Sequence, residues 1–171
     1  MSKIKKKHIQ TRIDIPRDLT PRQRELLAEK IVRKIRERTK EGKSATGRPF
    51  KGYSKEYKES LDFKLAGKSD TVDLRSTGDM LSELDVLSIN NRYIMVGYEK
   101  DHPDAGKVQG NVTGEYGNDK PVTRPRDFIG LPKKWVEILA AEVRLELPDF
   151  EEEKTSVIAN ILSRIGVNKD G

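Results

Sequence analysis

Apolar residues between Thr20 and Lys40 fall at helical spacing. Leu27, Ile31 and Ile35, with Ala28 and Val32, make one stripe, and Arg22, Arg24, Glu29, Arg33, Arg36, Glu37 and Lys40 fill the other face. Thr20 suits the N-cap and Pro21 the first helical position, so the pattern predicts an amphipathic helix packed on one side only. Ahead of it, Ile9, Arg12, Ile13, Asp14 and Ile15 alternate over a short run, which reads either as a strand or as an arm that orders on assembly. Two further apolar runs, 85–89 and 93–98, flank Asn90-Asn91. Asparagine tolerates positive φ, so this is the clearest β-hairpin in the chain.

Helical spacing returns from Lys55 to about Leu65, with Ser54 as cap and Tyr57 and Leu61 on one side. It recurs from Gly78 to about Leu84, after Thr77, with Met80, Leu81 and Leu84 on one face. A helix from Lys133 to about Leu145 carries Trp135, Val136, Ile138, Leu139 and Val143, and Pro148 ends it. Asp149 and Glu152 resemble a capping box for a last helix, whose apolar face is Val157, Ile158, Ile161, Leu162 and Ile165. That helix follows an acidic run, Asp149–Glu153, and is expected to dock either on its own domain or on a neighbour. Residues 41–52 read as a turn-rich loop. So do residues 99–126, with Gly106, Gly110, Gly114, Gly117 and three prolines, and a loop of that length is usually functional or ordered by a partner.

The expected architecture is therefore α+β: a small antiparallel sheet with a central hairpin, packed by several helices, with a long loop and extended terminal arms. A basic N-terminal arm (1–19) precedes a core domain (20–147) containing the long loop, and a C-terminal helix or arm (148–171) follows. Leu, Ile, Val and Phe supply about a quarter of the residues, enough for a fold, while 36% of the chain is charged, which leaves a modest core under much charged surface. The net charge of +6 conceals an asymmetry. Residues 1–58 hold 19 basic and 7 acidic groups, and residues 59–171 hold 15 and 21. Such polarity suits nucleic acid at one end or head-to-tail stacking of copies, and charge alone does not choose.

The absence of cysteine removes disulfides, thiolate metal sites and thiol nucleophiles, and suits a reducing cytoplasm. No run approaches the length of a membrane helix, and the basic start at Lys3–Lys7 leads into no signal-like apolar stretch. Gly42-Lys43-Ser44 lacks the earlier glycine of a phosphate-binding loop, since that position is Glu37 within a helix. His8 lies in the basic arm, and Asp101-His102-Pro103-Asp104 reads as a solvated turn rather than a cation site. No nucleophile elbow is present, and Glu151-Glu152-Glu153 has nothing nearby to raise a pKa. The expectation is no enzyme, no metal and no cofactor. Arg48, Lys51, Tyr53 and Tyr57 interleave charge with aromatic rings, a sequence-independent nucleic-acid signal, but no base-reading module shows its pattern.

Five pieces occur in order: Gly47-x-Pro49-Phe50 with Tyr53-Ser54-x-x-Tyr57, then Leu74-x-x-Thr77-Gly78-Asp79-Met80-Leu81, the hairpin ending in Val96-Gly97, a glycine-bearing loop, and Arg124-Pro125-Arg126-Asp127-Phe128-Ile129-Gly130-Leu131 leading into a helix. This order resembles the tailed-phage virion-morphogenesis family of tail-completion and head–tail joining proteins, over about Lys43–Leu145. Members commonly carry Ala-x-x-His-Gln-x-Gly where this chain has Val112-Thr113-Gly114-Glu115-Tyr116-Gly117, after a longer loop. The resemblance implies a small α+β structural virion protein without enzymatic activity, forming a homo-oligomeric ring at the neck or head-proximal tail end.

Its expected partners are copies of itself and neighbouring neck, connector or tail-tube proteins. Its place would be the virion after assembly in the host cytoplasm, with no membrane. The residues expected to build the fold and interface are Phe50, Tyr53, Tyr57, Thr77, Gly78, Leu81, Arg124, Pro125, Arg126, Phe128, Gly130 and Leu131. Phe128 and Leu131 would anchor the string in the core, with Pro125 and Pro132 holding it extended. Arg33, Arg36, Lys40, Lys43, Arg48 and Lys51 would face DNA in a channel or an acidic partner. The channel reading requires Arg33, Arg36 and Lys40 to share one exposed face. The alternative from another class is a sequence-independent nucleic-acid-binding protein.

Overall fold

A computed structural model of the chain describes residues 9–72, 74, 78–115 and 125–164. Thr77, Arg124 and Ile165 lie outside the described residues, as do positions 1–8 of the expected arm. The fold is α+β: a three-stranded antiparallel sheet with helices around it. In chain order its elements are β1 (Gln10–Asp14), α1 (Pro21–Lys40), α2 (Lys55–Glu59), α3 (Leu61–Leu65), α4 (Gly78–Ser82), β2 (Asp85–Ile89), β3 (Tyr93–Gly97), α5 (Ala105–Thr113), α6 (Lys133–Glu146) and α7 (Phe150–Arg164).

The longest helix forms where the pattern predicted it. Thr20 Oγ1 accepts from the Gln23 N–H (3.2 Å) and Gln23 Oε1 accepts from the Thr20 N–H (2.9 Å), a complete capping box with proline at the first helical position. Leu27, Ala28, Ile31, Val32 and Ile35 are all buried in the core. The hairpin also forms, with a different turn from the one expected. Asn90 and Asn91 do not take positive φ; instead Asn90 Oδ1 accepts from the Arg92 and Tyr93 N–H groups, an Asx turn. An irregularity between Val86 and Ser88 leaves Leu87 as an extra residue in β2.

Three expectations are decided here. Of the strand and the arm offered for the first run, the strand holds: residues 10–14 pair with β3 in the order β1-β3-β2, which makes β3 central, and Ile9, Ile13, Ile15 and Leu19 are core residues. Gly97 allows this pairing, because a Cβ there would stand 2.2 Å from the Ile9 carbonyl oxygen. Residues 99–126 are not wholly loop. Val108 and Val112 bury one side of α5, and Gly114 ends it in the left-handed conformation at φ 77°. The single helix expected over 55–65 is two short ones. Ser60, in extended conformation, closes α2 and caps α3 through the Phe63 N–H.

Candidate assembly surface

The described part of the Arg-Pro-Arg-Asp-Phe-Ile-Gly-Leu string, residues 125–131, lies between α5 and α6 in the chain, and its anchor is a residue the sequence did not single out. Arg38, near the end of α1, is buried. Its guanidinium donates to the carbonyls of Phe128 and Gly130, both at 2.6 Å, and more weakly to that of Ala45 at 3.4 Å. Planar guanidinium donors fit several fixed carbonyls at once, where a lysine ammonium is a single point. Burial pushes Arg38 down to about 10, opposed by the Asp127 carboxylate, so it remains a cation at neutral pH. Its Nε is buried without a hydrogen-bond partner. Further ties are the Ala45 N–H to the Asp127 carbonyl (2.8 Å) and the Arg126 N–H to the Asn111 carbonyl (2.7 Å). Phe128 and Ile129 are core residues, and Leu131 packs on the core from a half-buried position. Gly130 takes φ 154°, where a Cβ would come within 3.2 Å of Ala45 Cβ.

Pieces distant in sequence meet here. Phe50 and Tyr53 pack on the core, and the Arg126 guanidinium lies 4.9 Å from the Tyr53 ring centre. Tyr53, Tyr57 and Phe63 form a triangle with centroids 5.4–5.5 Å apart. Lys68 lies over the two tyrosines and donates to the Tyr57 hydroxyl at 2.7 Å. Phe63 was missed because one aromatic in a short polar run carries no periodic signal. Leu81 is buried beside Met80 and Leu84, Gly78 begins α4, and Pro125 is exposed.

The basic residues of α1 do not form the single outward face that the channel reading needs. Arg33 and Lys40 are exposed, but Arg36 turns inward and donates to the carbonyls of Ser82 (2.7 Å) and Leu84 (2.6 Å). Lys30 pairs with Glu146 (2.6 Å) and Glu142 (3.6 Å), and Lys34 lies 4.2 Å from the Trp135 ring centre. The exposed stripe mixes the two signs equally, as Arg22, Glu25, Glu29, Arg33, Glu37 and Lys40. Lys43 pairs with Glu41, and Arg48 and Lys51 are exposed on the loop. His102 is built into its turn: Nδ1 accepts from the Asp104 N–H, Nε2 lies 3.6 Å from Glu83, and the ring stands edge-on to Tyr98. Among the described residues no group of three or more His, Asp or Glu is placed to hold a metal ion.

Two surface features remain. A groove of about 850 Å³ runs along the free edge of β1, between Thr11–Pro16 on one side and Ile129–Pro132 with the start of α6 on the other. Antiparallel alternation turns the backbone of Gln10, Arg12 and Asp14 away from β3, while the Arg12–Asp14 pair and Pro16 guard that edge against strand addition. The second feature is the outer side of α6 with α7. Among the described residues ten large apolar side chains are exposed, and seven are Trp135, Ile138, Leu145, Val157, Ile158, Ile161 and Leu162. Among the described residues α7 packs extensively on no other element. No family model, curated protein or solved structure matches this chain.

Proposed function

We propose that this protein is a structural subunit of a tailed-phage virion, forming a homo-oligomeric ring at the neck or the head-proximal end of the tail. It works by shape and interface burial rather than by catalysis. The observation that carries the reading is the concentration of exposed apolar residues on α6 and α7. A soluble monomer rarely leaves contiguous apolar patches of more than a few hundred Å² uncovered, and such patches mark interaction surfaces. The station is read from the resemblance carried by the ordered motifs. The Phe50–Tyr57 segment and the Arg126–Leu131 string, which carry the resemblance, pack together through Arg126 on Tyr53, as parts of one unit would.

Sequence-independent binding of nucleic acid has less support. Lys30, Lys34, Arg36 and Arg38 direct their charges into the molecule, and the outward stripe of α1 is balanced. Electron microscopy of the purified full chain, and of particles carrying a labelled copy, tests the proposal. The expected result is rings with a central opening, and label at the head–tail junction. Monomers that retain DNA with an affinity falling steeply as salt rises would favour the other reading instead.

A further inference from the structure

We infer that the occupant of the outer face of α6 is α7 from a second copy of this chain, lying parallel to α6. The inference rests on the ring reading and names the contact between its subunits. α6 is apolar on two sides. Val136, Leu139, Ala140 and Val143 face the core, while Ile138, Ala141 and Leu145, flanked by Trp135, lie on the opposite side. A helix with a second apolar stripe turned to solvent is built to be covered. Leu145 is 85% exposed, and the four apolar residues of α7 are 46–55% exposed. In a ring each copy meets one neighbour through α6 and another through α7. Each contact therefore draws on about half of the surface that the seven side chains expose per copy, on the order of 700 Å² in all, enough for the apolar centre of an interface of ~800 Å² per partner.

Charge decides whose α7 it is and which way it runs. Only Leu147–Asp149 separate α6 from α7, so folding back within one chain would make the helices antiparallel. That alignment sets the acidic start of α7, Glu151–Glu153 in sequence, beside Glu142 and Glu146, and Arg164 beside Lys133 and Lys134. Like charges then meet at both ends. A second copy's α7 is free to run parallel. A register that places Leu162 level with Leu145 also places Ile158 level with the small Ala141 and position 151 (Glu) level with Lys134. Large residues then meet a small one along the stripe, and opposite charges meet at its start. The link itself favours projection, because the Leu147 carbonyl is held by Gln23 Nε2 at 2.7 Å, which fixes where α7 leaves the body.

The chain contains no cysteine, so introduced thiols report contacts without background. The test mixes two full-length single variants, Leu145→Cys and Leu162→Cys, under mild oxidation; both positions are exposed, so neither change threatens folding. A disulfide-linked heterodimer of these two variants, at a yield at least about tenfold above that from a mixture of Ile138→Cys and Leu162→Cys, supports the parallel contact between copies, the tenfold corresponding to about 1.4 kcal/mol. Preference for position 138, dominant self-linking of Leu162→Cys alone, or no product in any mixture overturns it. If rings are imaged while these thiols stay unlinked, this contact is wrong and the ring reading stands; if no ring forms, that reading fails on its own evidence.

Discussion

The Arg38 clasp and the α7 helix are opposite solutions to the same problem of an amphipathic chain. Around Arg38 the partners come from within the molecule: three carbonyls receive the guanidinium, and Phe128 and Ile129 are sunk in the core. Along α7 the apolar stripe is as regular as that of α1, yet four of its residues are about half exposed. Both patterns are equally clear in sequence. Periodicity therefore marks a face that can be covered and says nothing of whether the same molecule covers it.

The most severe break is expected on the inward-held side of this contrast, at Gly97. Gly97→Ala drives a Cβ into the Ile9 backbone, so it should cost at least about 4 kcal/mol or prevent folding, read by thermal melting. Next comes the clasp. Arg38→Met strands the Phe128 and Gly130 carbonyls and should destabilise by about 3–4 kcal/mol, while Arg38→Lys should recover only part of that. Denaturant melts that leave both variants near the parent stability would show that the clasp is ornamental.

A matched truncation pair sharpens the contrast. Phe128→Ala should cost about 3–5 kcal/mol, whereas Ile161→Asp should shift the monomer's unfolding by less than about 0.5 kcal/mol while abolishing self-association in analytical ultracentrifugation. Equal losses of stability would mean that α7 belongs to the core after all. The smallest effect falls on the ion pair that ties the start of the chain to α6. The hydrogen bond from Arg144 (2.8 Å) holds the Asp18 carboxyl below its ordinary value. The stabilisation is present above that ordinary value and is lost as pH falls through the lower folded one. Because the pair is exposed, Asp18→Asn should cost a few tenths of a kcal/mol at pH 7 and nothing at pH 2, in paired melts.

Much of the fold was legible because local signals sufficed for it. Thr20-Pro21 and the Leu27–Ile35 stripe mark α1, and the paired asparagines with flanking apolar runs mark the hairpin. What failed depends on distant partners. β1 pairs with a strand about eighty residues away, so its short alternation could not distinguish a strand from an arm. The two interior glycines and single lysine of α5 disguise a helix whose Val108 and Val112 are satisfied only by the assembled core. Arg38 falls on the apolar stripe, three residues past Ile35 and seven past Ile31, whereas Arg33 and Lys40 lie on the opposite face, so helical spacing alone separates it from them but does not say what it meets. Its role appears only once Phe128 and Gly130 arrive beside it.

The oxygens that Arg38 grips belong to the main chain. Such an attachment reads the path of the segment and ignores most of its lettering, apart from the ring at 128 and the bare backbone at 130. Position 131, half-buried at the margin of the core, is thereby freer to drift than 128, 129 or 130 as the surfaces against it change, provided size and polarity are kept. A component of this construction can be refitted to new neighbours over evolutionary time while the joint that positions it stays the same.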